Sequence, residues 1–484
     1  MKKQIFALAV VAAFASAASA AELDFAPLKS SDIYAVGEQV GWTVSLPSSV
    51  TTPPASAYTY TIRANSLEPI GSGTFDLAKG PATIKFSLDY PAMVYVTVDR
   101  AGGPPPGRPT PADANKVNDA LKALLVKNDP ALKGIFDKYP DYCLAPAPCG
   151  ATSPDLGPSP LPEPHVAIVG AAVAPTQIAP SASRPADFDA FWAAKLAELK
   201  KVPMRPVLVQ LTTAVPGINL YMVQLDSLGS HVHGYLAVPT RKGTFPAMVV
   251  YQWAGVYALS PQTCANRAAE GWLCFNVDSH DMPPDQAAGA PKNYYEVGNT
   301  SRETSYFLAM YLRDTRALDW VRTLPHWNKK TVVITGTSMG GQQSLVTAGL
   351  NPGKISALVV NEPSGGDSNA ELHGRKPAYP NWAISDPKVA ETARYFDTAN
   401  FATKINAPTL LAVGFIDTIC PPATVLSAFN KIPAPKELVP MLESDHNNYT
   451  PDKQGAFLSR SEDIFATLLH GGRFVPNPNP ALGK

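Results

Sequence analysis

The stretch Thr331-Val332-Val333-Ile334-Thr335-Gly336-Thr337-Ser338-Met339-Gly340-Gly341-Gln342-Gln343-Ser344-Leu345-Val346-Thr347-Ala348 decides the fold. Thr331 to Thr335 read as a buried strand, and Gln342 to Ala348 can form a helix. Between them Gly336-Thr337-Ser338-Met339-Gly340 has the G-x-S-x-G pattern of a nucleophile elbow, the sharp strand-to-helix turn that exposes a serine above a parallel sheet. The glycines have a steric purpose there. The serine backbone is strained, and flanking side chains would strike the adjacent strand and helix. Glycine and serine also cluster in ordinary turns, so the reading needs partners elsewhere in the chain.

A serine hydroxyl becomes a useful nucleophile only when a base takes its proton, and histidine titrates in the right range. Downstream, Pro408 to Gly414 is a strand-like run, and Asp417 follows it by three residues. Leu438 to Leu442 is another, and His446 follows that by four. The order Ser338, Asp417, His446 is the order of an α/β-hydrolase triad. Asp417 is then expected to orient the ring of His446 and stabilise its imidazolium. Asp417 alone could be a turn residue. Asp445, a rival acid, is the sequence neighbour of His446 and poorly placed to reach its ring. His470 lies in a helical pattern and His373 in an irregular segment. The oxyanion hole is expected from the backbone N–H of Met339, at the helix start, and that of Ala254, in the loop after the strand at 246–252. Trp253, His280, Gln342 and Glu362 are candidates for the substrate pocket. His231 and His233 alternate like ligands, but both could face one side of a hairpin strand, and a structural role is preferred. No metal or cofactor is required.

Further strands are expected at 272–277 and 355–361, with a long helix pattern between 277 and 331 carrying Leu308, Tyr311, Thr315, Leu318 and Val321 on one face. Alternating strands and helices imply a mainly parallel sheet covered on both sides. Two strands at 220–225 and 232–238 have the shape of a hairpin, and Phe188, Phe191, Trp192, Leu196 and Leu199 recur at helical spacing. Before position 100 the pattern is all-β. Val40 to Val44, Tyr58 to Ile62 and Met93 to Val98 alternate between turns as in a sandwich. Gly/Pro-rich sequence then runs from about 102 to 164, with short helical patterns at 113–125 and 130–138, before a strand at 166–171 completes the sandwich. The expected organisation is a signal peptide at 1–20, an Ig-like β-sandwich over 21–180 with that insertion, and an α/β-hydrolase domain over 181–484.

Composition sets limits. Lys+Arg and Asp+Glu both count 40, so neither nucleic acid nor an anionic membrane is favoured as a partner. Forty-nine prolines among 484 residues argue for many loops and against a helical bundle. Lys2, Lys3, the apolar run from Ile5 to Phe14 and Ala18-Ser19-Ala20 read as a secretory signal, implying a periplasmic or secreted protein. That compartment permits disulfides among the five cysteines. Cys143 with Cys149 and Cys264 with Cys274 are possible pairs. Cys274, in a strand-like run, could equally be a buried thiol, and the odd count leaves one thiol free. No spacing matches a zinc motif.

Four segments resemble the acetyl xylan esterase and cephalosporin C deacetylase family of carbohydrate esterases. They are Pro185-Ala186-Asp187-Phe188-Asp189-Ala190-Phe191-Trp192, the hairpin end His233-Gly234-Tyr235-Leu236-Ala237-Val238-Pro239, the Ser338 elbow, and Gly414-Phe415-Ile416-Asp417-Thr418-Ile419-Cys420-Pro421-Pro422. The resemblance implies an α/β-hydrolase that removes small acyl groups, chiefly acetate, from sugars and related alcohols. It departs from the family pattern at Met339, where glutamine is usual, at Ser279-His280-Asp281 in place of Arg-Gly-Gln, at His446-Asn447 in place of His-Glu, and at Ala254 in place of a tyrosine. A peptidase or a longer-chain or aryl esterase is the rival within enzymes, and a non-catalytic carbohydrate-binding protein the rival outside them. The natural substrate and oligomeric state stay open.

Overall fold

The computed structural model describes residues 22–48, 50, 57–102, 165–446 and 451–478. The signal at 1–20, the helical patterns at 113–125 and 130–138, and Cys143 and Cys149 lie outside the described residues.

The N-terminal region is two facing sheets. One orders β1 (Asp24–Pro27), β3 (Gln39–Ser45) and β6 (Ala82–Ser87). The other orders β2 (Ile33–Tyr34), β8 (Ala167–Val173), β7 (Ala92–Arg100), β4 (Tyr58–Ala64) and β5 (Glu68–Phe75). Side chains alternate along a strand, and here both faces of the larger sheet are used. Val94, Val96 and Val98 of β7, with Ala171 and Val173 of β8, join Trp42, Val44 and Ile84 in the sandwich core. Met93 and Ala172, with Ile33 of β2, point the other way and belong to the core of the second region. A Cβ at Gly170 would lie 2.7 Å from the Phe415 carbonyl oxygen, so only glycine admits the loop that carries Asp417.

The second region is built on one sheet in the order β17-β16-β15-β14-β12-β13-β11-β10-β9. Its strands are β9 (Val207–Leu211), β10 (Ile218–Ser227), β11 (Ser230–Pro239), β12 (Phe245–Tyr251), β13 (Leu273–Val277), β14 (Trp327–Thr337), β15 (Ala357–Asn361), β16 (Thr409–Gly414) and β17 (Lys436–Met441). Neighbours from β13 to β17 pair in parallel, while β9, β10 and β11 pair antiparallel. Five-residue runs such as Ala357–Asn361 and Leu273–Val277 are buried at every position, as expected of parallel strands covered on both faces. Helices α1 (Phe188–Lys201), α3 (Tyr306–Val321), α4 (Met339–Leu350), α6 (Thr398–Ala402) and α7 (Pro422–Lys431) contribute to the larger core. Helix α2 (Gln262–Glu270) and α8 (Pro451–Leu469) supply two smaller clusters, and α5 (Pro387–Ala393) precedes α6.

This is the α/β-hydrolase architecture with an all-β region before it. Strand β9 is an addition to the sequence reading. It forms the sheet edge, and Val207 and Val209 are more than half exposed, so no alternation of buried positions marks it. Cys264 and Cys274 form a disulfide, their Cα atoms 5.1 Å apart, which resolves the open choice at Cys274; Cys420 is free and buried. No helix among the described residues is long and apolar enough to cross a membrane.

Candidate active site

Parallel strands deliver residues to one rim, because every strand ends on the same side. Ser338 follows β14, Glu362 follows β15, Asp417 follows β16, His446 follows β17, and the loop 252–255 follows β12. Ser338 has φ 58° and ψ −123°, a left-handed-side conformation that L residues adopt at a cost. Its surroundings hold it there. The Ser338 N–H donates to the Asn361 carbonyl at 3.0 Å, and its own carbonyl accepts from Ser364 at 3.1 Å and Gln342 at 2.9 Å.

The three side chains meet. His446 Nε2 lies 2.9 Å from Ser338 Oγ, and His446 Nδ1 lies 2.8 Å from Asp417 Oδ2. The other carboxylate oxygen, Asp417 Oδ1, accepts the N–H groups of Ile419 and Cys420, both at 2.8 Å. The acid is therefore fully buried yet held at both oxygens. Burial works against the charged imidazolium of His446, but the adjacent Asp417 carboxylate outweighs it, so the ring's pKa lies well above its ordinary 6.5. Burial pushes the Cys420 thiol up to about 11, so beside the triad it stands as a neutral group.

Glycines make the elbow possible. A Cβ on Gly340 would sit 2.3 Å from the Tyr251 carbonyl oxygen, and one on Gly336 would sit 2.4 Å from backbone atoms of Gly340. These obstacles are main chain and cannot rotate away. Gly340→Ala should therefore push α4 off the end of β12, costing about 1–3 kcal/mol of stability and lowering kcat with it. Denaturant midpoint and turnover measured on the same protein test this; an unchanged midpoint contradicts it.

The loop 252–255 is braced from behind. Gln252 Oε1 accepts the Ser279 N–H at 2.8 Å, and Gln343 Nε2 donates to the Gln252 carbonyl at 2.8 Å. His280 Nε2 faces the Gly255 carbonyl at 3.1 Å, and its Nδ1 faces the Tyr306 hydroxyl at 2.9 Å. A carbonyl only accepts, so Nε2 carries the hydrogen and Nδ1 takes the tyrosine's. Burial lowers the ring's pKa to about 4, which keeps it neutral. The Gly255 N–H donates to the Tyr294 hydroxyl at 3.3 Å, and that hydroxyl also bonds the Tyr379 hydroxyl and contacts Met339 Sδ at 3.2 Å. Tyr294 thus ties together the two segments that carry the Met339 and Ala254 N–H groups. Nothing in its sequence context, Asn293-Tyr294-Tyr295, signals this.

Of the four pocket candidates, Trp253 is 54% exposed, its ring tilted by 30° to that of Tyr257 with centres 5.8 Å apart. His280, Gln342 and Glu362 have no exposed surface and need correction from pocket lining to internal support. Gln342 bridges the Tyr311 hydroxyl at 2.7 Å and the Ser364 hydroxyl at 2.6 Å. Glu362 lies under the triad, 3.2 Å from Ser444 Oγ and 3.1 Å from Gln454 Nε2. Burial, then the charge of Asp417, raises its carboxyl to about 8, so at neutral pH it is protonated. A neutral acid there adds no second negative charge beside Asp417.

The all-β region reaches this rim. The Lys376 N–H donates to the Asn65 carbonyl at 3.1 Å. Tyr95, opposite Arg63 in the β4–β7 ladder, has its hydroxyl pKa raised by burial and by the charges of Asp445 and Asp417.

Comparisons with known proteins bear on the family and the fold. The model of the family described as acetyl xylan esterase matches residues 176–368 and 380–460. An acetyl esterase of Xylanibacter ruminicola is 30% identical over 298 residues, covering 57% of this chain and 68% of that protein. Among solved structures, the acetyl xylan esterase from Paenibacillus sp. R4 superposes with a TM-score of 0.53 at 23% identity, covering 60% of this chain and 98% of that one. Acetyl xylan esterase 1 from Thermoanaerobacterium sp. gives 0.51 at 19% identity, covering 60% and 96%. The last two likenesses bear on the fold. All these matches cover little more than the α/β region.

Proposed function

This chain belongs to the acetyl xylan esterase family and is a carboxylic ester hydrolase; from that premise we propose an exported enzyme that removes acetyl groups from carbohydrate esters through Ser338, His446 and Asp417. The observation that carries the catalytic assignment is the unbroken hydrogen-bonded line from Ser338 Oγ through the His446 ring to Asp417, with 2.9 Å and 2.8 Å steps. Ser338 Oγ attacks the ester carbonyl carbon while His446 Nε2 accepts its proton. Negative charge moves to the carbonyl oxygen, which the N–H groups of Met339 and Ala254 stabilise. Removing one such donor typically costs about 2.7–4 kcal/mol. Collapse expels the alcohol, protonated by His446, and leaves an acetyl-enzyme. Water, deprotonated by His446, then releases acetate and restores Ser338. Asp417 holds the Nδ1–H tautomer throughout and balances the imidazolium.

The exposed Trp253, one residue from Ala254, offers a flat apolar face on which a sugar ring can rest while its acetyl carbonyl enters the oxyanion site. The basic start at Lys2 and Lys3 with its apolar run supports export and a mature chain beginning near Ala21. Acyl chain profiling tests the substrate class. The expected result is fastest turnover of p-nitrophenyl acetate, falling beyond about four carbons as the pocket must admit extra methylenes, and acetate release from acetylated xylan or oligosaccharides. A clear preference for longer chains, or cleavage of peptides, overturns the acetyl reading.

A further inference from the structure

His231 and His233 lie two residues apart on β11 and so share one face of the sheet. Asp281 comes from the loop after β13, and main-chain bonding sets that loop's position: the Asp278 N–H donates to the His233 carbonyl at 2.9 Å. One carboxylate oxygen, Asp281 Oδ1, lies 3.2 Å from His231 Nδ1 and 3.2 Å from His233 Nε2. All three donor atoms fall within 4.8 Å of one another.

We propose that His231, His233 and Asp281 form a binding site for a divalent transition-metal ion of the zinc class, fastening the β10–β11 hairpin to the loop behind the oxyanion site. At 3.2 Å both contacts stand at the long end of the ordinary N–H···O range of about 2.7–3.2 Å, so the two imidazoles are held only loosely by the carboxylate. A tetrahedral ion about 2.0–2.1 Å from each ligand separates its ligands by about 3.3 Å, close to the two histidine–Asp281 spacings, while the two histidine nitrogens lie within 4.8 Å of each other. Two imidazoles with one carboxylate suit zinc, cobalt, nickel or copper rather than magnesium or calcium, which prefer oxygen. The His231 and Asp281 side chains are 46% and 36% exposed and His233 is 9% exposed, so the cluster opens to solvent, where water can complete the coordination.

The site is coupled to function through its neighbours. Asp281 directly follows His280, which bonds the Gly255 carbonyl, and Ser279, whose N–H bonds Gln252. An ion held here stiffens the loop on which Ala254 depends. The proposed role is structural, and the esterase assignment stands or falls separately from it.

The test uses untagged, chelator-treated protein titrated with zinc sulfate alone, followed by calorimetry and thermal melting, with cobalt absorption reporting the ligand geometry. The expected result is one ion per chain, a higher Tm with zinc, and binding weakened at least about tenfold in His233→Ala and in Asp281→Asn. Asp281→Asn, on an exposed loop, serves if His233→Ala fails to fold. Asp417, Cys420 and His446 are another trio of potential donors within 4.8 Å, so His446→Ala is the control and should bind zinc as wild type does. No heat and no Tm shift at millimolar zinc overturns the proposal. So does binding that survives in Asp281→Asn, or binding lost in His446→Ala.

Discussion

Ser338→Ala should lower kcat on p-nitrophenyl acetate by about a millionfold, the size of loss seen when a triad's nucleophile or base is removed. The protein should still fold. The bonds that hold position 338 use its main chain, to Asn361, Gln342 and Ser364, and survive the change. Alanine bears the same positive φ that serine bears, so the strain is not relieved and the elbow keeps its shape. A residual rate above that in water should remain, because the Met339 and Ala254 N–H groups still polarise a bound ester. Labelling by a fluorophosphonate probe should disappear in the variant. Equal rates in the two proteins, or labelling at another serine, would remove Ser338 from the mechanism.

Asp417→Asn should cost about 10⁴ in kcat while leaving the fold intact. The asparagine amide can present N–H where the carboxylate presented oxygen, which draws the His446 ring into the tautomer with hydrogen on Nε2. That nitrogen then cannot accept the proton of Ser338. The pH profile separates this from general damage. In the wild type the carboxylate favours imidazolium, and the neutral base forms only above a raised pKa. The acid limb of kcat/KM should therefore lie above pH 6.5, with activity rising as pH rises through it. Without the carboxylate, only the contact with Cys420 is left to offset burial, which opposes the charged ring, so the limb should move to lower pH as the plateau collapses. A limb that stays put while kcat falls would contradict the role given to Asp417.

The amount that could be read in advance follows from how local each signal is. The elbow is contiguous, so strand, turn and helix over 331–348 were all visible. Asp417 and His446 each stand a few residues past an apolar run, and parallel topology does the rest. His280 and Glu362 have the same local signature, a polar residue after a buried strand, yet both turned inward. Their direction depends on Gly255, Tyr306, Ser444 and Gln454, which come from other parts of the chain. The bond between Cys264 and Cys274 was open for a similar reason: pairing requires knowing that α2 lies against β13. Strand β9, an edge with exposed apolar residues, lacked the alternation that announces a half-buried strand.

The approach of Gly170 to Phe415 carries a consequence for anyone wishing to dissect the protein. A boundary drawn near residue 180 looks like a natural cut, but the sheet on its N-terminal side packs on the loop that carries Asp417 and lends Met93 and Ala172 to the core of the α/β region. Excising it would strip an apolar floor from the remaining fragment, and grafting it onto a relative would require a matching glycine and a matching loop. The two regions are better engineered as a single piece, with new cargo attached at the outer sheet of the sandwich, away from that seam.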